Sequence, residues 1–351
     1  MEEQPELRLA AVPQAALGPD RAPSYIAFGG MTVDNVITAD GHRLIGVCGG
    51  NALYSAVGMK VWADDVGIVA RVGDDYPLEC IEAAAGYGLD LHGLRMLNGP
   101  HRLRVAFAYR ADGSRTRTVP DDMLEGVPLA ERHHFRDTTF DDSTYLGFSP
   151  VVADIPDGWL ASARGMHLPA LRFVTHRAVT AHVRDVNPSL TLTMDSPWYE
   201  GGDVPGEDLA SVLQRVSVVL PSADDLRAVW PALGPLAAAK ALRDRGARAA
   251  VVKVGEAGSL VLEAGSAWKI PAFPADAIEL TGAGDAFCGG FLVGLGETGD
   301  LVTAACYGTV AASIIVEARS PLEAMARIGP ADVQSRLAYV SARVSKLGEA
   351  S

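Results

Sequence analysis

Hydrophobic residues along this chain fall mainly in short continuous runs, with amphipathic stretches between them. Such runs are typical of strands buried on both faces, and those at 25–28 and 66–70 have this character. From about residue 190 the pattern becomes regular, with strands and helices in alternation. The strands are predicted at 190–194, 216–220 and 249–253, and the helices at 207–215, 223–230 and 235–245. This alternation predicts a parallel α/β sheet that is covered by helices on both faces.

The N-terminal third has a different pattern. Residues 103–109 alternate with a period of two, and after the turn residues 111–114 a second strand is expected at 115–119. Alternation is typical of a sheet with one exposed face, so this hairpin is predicted to form a small β lid. The full prediction has an N-terminal extension at 1–22, one domain at 23–345 with lid elements near 30–46 and 101–120, late helices near 284–296, 300–316 and 330–345, and a C-terminal tail at 346–351.

Composition narrows the choice of partners. The 351 residues carry a net charge of −13, which argues against a nucleic acid or an anionic membrane as partner. A small phosphate ligand still fits, since backbone N–H groups and one or two local cations can hold it. No export signal or membrane span is expected. Cys48, Cys80, Cys288 and Cys306 form no C-x-x-C pair, so neither a zinc ribbon nor a disulfide framework is expected and a cytoplasmic location is predicted.

One glycine-rich stretch carries the strongest chemical signal. Gly282 and Gly284 flank Ala283, so the chain can turn tightly and approach a ligand without side-chain obstruction. A helix is predicted to begin at about Asp285, which leaves the N–H groups of the three preceding residues at its positive end. That site suits a phosphate, or negative charge that develops during phosphate transfer. A carboxylate beside it suits a general base that takes the proton of an attacking hydroxyl.

The same stretch also permits a purely structural interpretation, in which Asp285 caps the helix and the glycines only form a loop. The longer run from Thr281 to Phe291, with Gly289 and Gly290 after the aspartate, is a rarer pattern than a bare G-x-G-D. Its small residues predict that the helix packs closely against other backbone.

At these residues the chain resembles the ribokinase-like (PfkB) family of carbohydrate and nucleoside kinases. The run 281–287 is similar to the C-terminal signature of that family, and Gly49-Gly50 with 66–75 is similar to its N-terminal signature. The resemblance covers about residues 24–345. It implies a three-layer α/β/α sandwich of about nine strands with a β lid, and Mg2+-assisted transfer of the ATP γ-phosphate to a substrate hydroxyl. By this resemblance Asp285 is the catalytic base and the glycine loop before it is the anion hole.

Further positions carry over from the family to the acceptor side of the site. By resemblance Asp34 binds a substrate hydroxyl, and Gly49 and Gly50 lie against the sugar, with Asn51 beside them. Where the family often has an asparagine that faces the sugar, this chain has Tyr54. Its ring is expected either to stack on the substrate or to narrow the pocket.

On the nucleotide side, Ser222 and Asp225 occupy the place of a family motif, N-x-x-E, that organises Mg2+ and phosphates. Asp225 is therefore the expected metal ligand, and the alternative is an acid that only caps a helix. Lys253 replaces the usual threonine and is expected either to reach the ATP phosphates as a point charge or to end a strand at the surface. The nucleotide-binding candidates are Lys253, Gly255, Gly258, Ser222 and Thr281.

Two regions leave the substrate and the assembly open. Glu279 and Leu280 replace the usual Asp-Thr, whose aspartate contributes to a monovalent-cation site in the family, so the sequence leaves K+ activation undecided. The lid arginines either recognise an acidic substrate or form a solvated face. They are Arg102, Arg104, Arg115 and Arg117. Because lids of this family pair between subunits, the resemblance also implies a homodimer through the lid.

Two other functions fit parts of the sequence. A non-catalytic sugar- or nucleotide-binding protein on the same fold would explain the altered positions 222–225 and 279–280, but the intact Asp285 argues against it. A dinucleotide-dependent oxidoreductase is disfavoured, because the G-x-G lies near the C terminus and Phe287 stands where that fingerprint has its third glycine.

Overall fold

The computed structural model describes residues 22–38, 40–110, 116, 118–196, 206–263 and 265–349. The strands are β1 (Tyr25–Phe28), β2 (Thr32–Ile37), β3 (Arg43–Gly49), β4 (Val66–Gly73), β5 (Leu89–Leu97), β6 (Arg104–Ala108), β7 (Gly165–Leu168), β8 (Thr191–Met194), β9 (Val218–Val219), β10 (Ala250–Lys253), β11 (Ser259–Glu263), β12 (Ser266–Ile270) and β13 (Ser345–Glu349). The helices are α1 (Asn51–Lys60), α2 (Leu78–Gly86), α3 (Asp142–Phe148), α4 (Trp159–Ser162), α5 (Phe173–Val186), α6 (Gly206–Leu213), α7 (Ala223–Val229), α8 (Pro235–Asp244), α9 (Ala283–Thr298), α10 (Leu301–Val316), α11 (Pro321–Arg327) and α12 (Pro330–Ser341).

Ten strands form the main sheet, in the order β13-β12-β11-β10-β9-β8-β7-β1-β4-β5. From β10 to β5 all neighbouring strands are parallel, and β11 to β13 add an antiparallel edge. The interior strand β1 is buried along its whole length, as its continuous apolar run predicts.

Each face of the main sheet carries its own hydrophobic core. One core unites the sheet with α1, α2 and α9 to α12, and the other unites it with α3 to α8. The predicted three-layer α/β/α sandwich is therefore confirmed. A parallel sheet needs this double cover, since both faces of its strands are apolar.

The lid is a separate three-stranded sheet in the order β3-β2-β6. β2 runs antiparallel to β3 and parallel to β6. The expected hairpin is different in part: its first strand is β6, but the partner of β6 is β2, which lies far upstream in the chain. The expected return strand at 115–119 falls partly outside the described residues. Within them, Thr116 donates its backbone N–H to the Ala108 carbonyl at 2.8 Å, and 118–119 are not in a strand.

The two faces of the lid have different neighbours. Parallel register places Asp34 and Phe107 on one face and Ile37 and Ala108 on the other, because successive side chains alternate. The second face is covered by a segment that follows the lid in the chain. That segment contributes Leu124, Val127 and Phe135 to a small core with Ile37 and Ala108. The outer apolar face of the lid is thus buried within a single chain.

The C-terminal boundary requires a correction. Residues 346–349, predicted to belong to a tail, lie in the edge strand β13, which pairs with β12. A five-residue strand at the end of a chain has too short a pattern to distinguish it from a tail. The predicted extension at 1–22 lies outside the described residues except for its last position.

Helices α1 and α9 touch backbone to backbone, as the small residues after Asp285 predict. A Cβ on Gly289 would lie 2.0 Å from the Ser55 carbonyl oxygen, and one on Gly58 would lie 2.1 Å from that of Ala286. No larger side chain fits at either position. This contact fixes the N terminus of α9 against the helix that follows Gly50.

No single helix in the described part of the chain is long and apolar enough to cross a membrane. Helices α10 and α11 reach that length and apolar character only when taken together, and the chain bends by 109° between them.

The cysteine prediction is wrong for one pair. Cys48, at the end of β3, and Cys80, in α2, form a disulfide with a Cα–Cα distance of 6.0 Å. The bond joins strand β3 of the lid to helix α2. Cys288 and Cys306 are buried thiols, as expected. Spacing of 32 residues gives no local signal for such a pair, and the argument for a reducing compartment loses this support.

We expect thiol titration of the denatured protein to find two thiols without reductant and four after reduction, because only Cys48 and Cys80 are paired. Mass spectrometry of non-reduced peptides should recover the 48–80 link. Four reactive thiols in protein purified under air would contradict the pairing.

Candidate active site

The carboxyl edge of the parallel sheet brings the chemical groups together. Asp195 directly follows β8, Ser222 follows β9 and Lys253 ends β10. The N terminus of α9 lies against this edge, since a Cβ on Gly284 would be 3.6 Å from the Lys253 Nζ. Ligands of open parallel sheets bind at this edge, and the predicted nucleotide residues lie there.

The predicted anion hole forms the first turn of α9. Gly282 is the residue before the helix and has φ +77°, a left-handed conformation that favours glycine. A Cβ there would also lie 2.0 Å from the Tyr54 ring, so no side chain fits. The helix begins at Ala283, two residues earlier than predicted. The Ala283 N–H donates to the Leu280 carbonyl at 3.3 Å, within the turn itself.

Asp285 occupies the third position of this helix. Burial raises the pKa of its carboxyl from 3.8 to about 7, and the negative charges of Asp195, Asp225 and Asp34 add to the rise, while Lys253 opposes it. A carboxylate with a pKa near neutral pH is well matched to accept a proton. Asp285 is thus within electrostatic reach both of Asp195 and Asp225, among the predicted nucleotide residues, and of Asp34, the predicted acceptor residue.

Lys253 is mostly shielded from solvent, with 11% of its side chain exposed. Its Nζ donates to Asp195 Oδ2 at 2.5 Å and to Cys288 Sγ at 3.3 Å. Burial lowers the pKa of the Lys253 ammonium, but Asp195, the Cys288 thiol and Asp285 together raise it above its ordinary value. The side chain is therefore a fixed cation beside the first turn of α9.

Ser222 and Asp225 form a reciprocal cap at the start of α7. Asp225 N donates to Ser222 Oγ at 3.1 Å, and Asp225 Oδ2 accepts from the Ser222 backbone N–H and hydroxyl at 3.2 and 2.6 Å. The capping interpretation of Asp225 is thus realised. The negative charge of Asp225 also contributes to the raised pKa values of Asp285 and Asp195.

The acceptor side is built around Asp34. Its Oδ1 accepts from the Thr32 hydroxyl at 2.5 Å, and its carboxylate lies directly against Gly49, where a Cβ would be 2.0 Å away. Gly50 has φ +101° and lies against the Gly30 carbonyl. The two glycines therefore let β2, β3 and the start of α1 meet at Asp34.

Asn51 braces this corner. Its Oδ1 accepts from the Gly30 N–H at 2.8 Å and its Nδ2 donates to the Ala170 carbonyl at 3.2 Å. Tyr145, which also bonds Ala170 and contacts Asn51, lies within electrostatic reach of Asp285. Sequence reasoning did not identify Tyr145, which comes from α3, an element far from both signatures.

Tyr54 connects the two sides. Burial raises the pKa of its phenol well above the ordinary value, and Asp34, Glu279 and Asp285 contribute. The ring lies against Gly282. Tyr54 therefore lies within electrostatic reach of both Asp34 and Asp285.

The remaining candidates are the glycines of the turn after β10 and the arginines of the lid. Gly255 and Gly258 form a tight turn after β10, and Gly258 approaches the Ile270 carbonyl so closely that a Cβ would be 2.0 Å from it. Arg104 is half-buried. Burial lowers the pKa of His134 most, and the charges of His133 and then Arg104 lower it further. Arg102 is exposed. The predicted lid arginines Arg115 and Arg117 lie outside the described residues.

Residues 186–326 match the domain described as pfkB family carbohydrate kinase. A cytidine kinase of Thermococcus kodakarensis is 27% identical over 77% of this chain and 87% of its own length. Among solved structures, a fructokinase of Xylella fastidiosa with bound ATP has a TM-score of 0.68 at 16% identity, over 91% of this chain and 99% of that one. An aminoimidazole riboside kinase of Salmonella enterica, with its riboside and an ATP analog, has a TM-score of 0.63 at 20% identity, over 89% and 99%.

These similarities support a PfkB-type kinase, with the family match confined to residues 186–326. The chain's fold is ribokinase-like, and its coarse class is that of a sugar or nucleoside kinase.

Sequence reasoning did not identify Asp195 or Tyr109 as candidate site residues, and it assigned no partner to Glu279. Asp195 directly follows the buried strand β8 at the carboxyl edge, which is the signal that could have found it. Tyr109 follows β6, and Glu279 precedes the anion hole. Their contact spans 170 residues and has no local signal.

The donor set fits Mg2+. Among the residues described, no three His, Cys, Asp or Glu side chains form a ready metal cluster. Mg2+ usually takes one or two protein carboxylates together with substrate phosphates. Asp225, Asp195 and Asp285 repel one another at this edge, and a cation relieves such repulsion.

We expect Asp285→Asn to raise the melting temperature at pH 8. Because burial raises the Asp285 pKa to about 7, the folded protein holds an unfavourable charge above that pH and a proton below it. The gain should shrink steadily as the pH falls from 7 towards 4. Calorimetry beside the exposed control Asp157→Asn measures it, and a variant less stable than wild type at pH 8 would contradict the electrostatic assignment.

Proposed function

We propose that this protein transfers the γ-phosphate of ATP to a hydroxyl of a sugar, a nucleoside or a related small molecule. One observation carries the proposal: Asp285 lies in the first turn of α9, where Gly284 approaches the Lys253 ammonium and Gly282 lies against the Tyr54 ring. A proton acceptor, an anion site and a hydroxyl-binding carboxylate in one cleft are the groups that phosphoryl transfer needs.

In this mechanism Asp34 orients the acceptor, since its carboxylate can accept from substrate hydroxyls at the Gly49 corner. Asp285 takes the proton of the attacking hydroxyl as its oxygen approaches the phosphorus. The N–H groups of Gly282 and Gly284 at the start of α9 stabilise the charge on the phosphoryl oxygens, and that of Ala283 joins them when it leaves the Leu280 carbonyl. Lys253 adds a fixed positive charge to the same end of the helix.

ATP is expected along the carboxyl edge of β9 and β10, with Ser222, Thr281 and the Gly255–Gly258 turn near the nucleotide. Asp225 is the proposed Mg2+ contact through Oδ1, since its Oδ2 accepts hydrogen bonds from Ser222. Mg2+ supplies charge neutralisation for the phosphates when bound. K+ dependence stays open, because Glu279 stands in the place of the usual aspartate.

The acceptor pocket favours a compact group at its inner end. Tyr54 occupies the space between Asp34 and the Gly282 turn, so it narrows the pocket near the reacting hydroxyl. The relatives described above include kinases of cytidine, fructose and an aminoimidazole riboside by name. Sugars and nucleosides are therefore the first acceptors to test.

A second function has one observation in its favour. A binding protein without catalysis is compatible with the reciprocal Ser222–Asp225 cap, which occupies one oxygen of the proposed metal ligand. The near-neutral pKa of Asp285 argues for catalysis, since a simple capping residue gains from a lowered pKa.

The assembly and location remain proposals. A homodimer through the lid would have to use the edge strand β3 or the cover segment, because the outer apolar face of the lid is already buried. A cytoplasmic location is consistent with a metabolic kinase, and the Cys48–Cys80 pair makes the thiol count its most direct test.

We expect ADP to form when ATP, Mg2+ and a suitable acceptor are combined in a screen of sugars, nucleosides and sugar phosphates with K+ varied. Asp285→Asn should lower turnover by roughly 10²–10⁴, the usual share of general-base catalysis. Turnover within about tenfold of wild type would contradict the base assignment. Ligand binding without ADP formation across the panel would favour the binding protein.

The pH profile of kcat/KM should fall below an apparent pKa of about 7, because protonation of Asp285 removes the base. Lys253→Met should move this acid limb to higher pH, since Lys253 lowers the Asp285 pKa. Asp225→Asn should move it to lower pH, since Asp225 raises it. Shifts in the same direction for both variants would contradict the assignment of the limb to Asp285.

A further inference from the structure

One carboxylate oxygen joins the lid to the anion-hole loop. Glu279 Oε1 accepts a short hydrogen bond from the Tyr109 hydroxyl. The same oxygen accepts from the backbone N–H and the hydroxyl of Thr281, at 2.9 and 2.8 Å. Thr281 immediately precedes Gly282, so a residue of the lid and the loop that faces the phosphate share one acceptor.

Both ends of this connection are firmly anchored. Tyr109 follows β6, donates its backbone N–H to the Ile37 carbonyl at 2.8 Å and packs edge-on against Phe107. Glu279 is 6% exposed, and its backbone N–H bonds the Val316 carbonyl of α10 at 3.1 Å. The lid is thereby tied to the helical layer at a point beside Tyr54.

The carboxylate depends on Tyr109 for its hydrogen bonding. Glu279 Oε2 is buried and has no hydrogen-bond partner among the described residues, so Oε1 alone carries the three contacts. A buried carboxylate needs its donors, because an unsatisfied one is strongly disfavoured. If the lid swings away with Tyr109, the carboxylate gains by turning towards water and Thr281 loses its acceptor.

We propose that Glu279 is a positioning residue that makes the order of the anion-hole loop depend on lid closure, with Tyr109 as the contact on the lid. The proposal deepens the kinase function and rests on it. An acceptor that closes the lid would then also set the N–H groups of 282–284, so the loop would be ordered for phosphate transfer only over a filled pocket.

Hydrogen exchange on the full-length protein without ligand tests this connection. The reporters are the Thr281 and Ala286 amides, whose N–H groups are bonded to Glu279 and Gly282. Tyr109→Phe removes only the hydroxyl from the lid side. We expect exchange in a peptide spanning 279–287 to rise roughly tenfold, the effect of losing one hydrogen bond to a charged group.

A matched control exists at the C-terminal end of α9, the helix that begins just after the anion-hole loop. Tyr25 donates its hydroxyl to Glu297 Oε1 at 3.0 Å, so Tyr25→Phe removes the same kind of bond from α9 far from the loop. It should leave the 279–287 peptide unchanged. A rise in both variants, or in all peptides alike, would indicate ordinary destabilisation and would overturn the proposal.

The length of the Glu279 side chain gives a second test. Glu279→Asp keeps the charge and can still accept from Thr281, but it is one methylene too short to hold Tyr109 as well. Glu279→Asp should raise hydrogen exchange in the lid and the loop, as Tyr109→Phe does. The variant that carries both substitutions should exchange little faster than either single variant, since the two residues act as one unit. Fully additive effects would overturn the coupling.

These outcomes are separate from those of the kinase assay. Exchange in the unliganded protein needs no substrate, so an unresponsive loop overturns the connection even in an active enzyme. In an active enzyme, Tyr109→Phe should lower kcat at least threefold while leaving the KM for ATP unchanged. A rise in acceptor KM alone would reduce Tyr109 to a substrate contact and would also overturn the proposal.

Discussion

The buried ion pair between Lys253 and Asp195 is the interaction on which the site depends. Four carboxylates, those of Asp34, Asp195, Asp225 and Asp285, act on one cleft, and Lys253 is the cation that opposes the rise of the Asp285 pKa. Removing one partner of such a pair leaves an uncompensated buried charge, which is far more destabilising than an exposed one. The pair also keeps the ammonium 3.6 Å from the Cβ position of Gly284, where a phosphate would meet it.

Packing between α1 and α9 holds the two halves of the cleft in register. Gly58 and Gly289 allow the helices to touch through their backbones, and this contact places the Tyr54 ring against Gly282. A bulky residue at either glycine would push the anion-hole turn away from the acceptor corner. In the proposed mechanism the small residues of α9 therefore set the distance between the anion hole and the acceptor, since donors of an anion hole act only at hydrogen-bond range from the charge that they stabilise.

Local patterns in the sequence were sufficient for the layers and for the anion-hole turn. Continuous apolar runs predicted β1 and β4, and the glycines around Ala283 predicted the tight turn before α9. Contacts between distant segments were not predictable in this way. The Cys48–Cys80 bond, the parallel pairing of β2 with β6 and the Tyr109–Glu279 contact depend on how the lid meets the main sheet. No spacing in a single sequence encodes that meeting.

An overall charge of −13 is compatible with a polyanionic ligand because the field at the site is set locally. Beyond about 10 Å, exposed charges are largely screened at ordinary ionic strength, whereas buried groups are screened much less. The first turn of α9 and the buried Lys253 act at contact distance, so they dominate what a phosphate experiences. Burial raises the Asp285 pKa to about 7 and the surrounding carboxylates add to that rise, so they contribute to a proton affinity near neutral pH that suits the proposed general base.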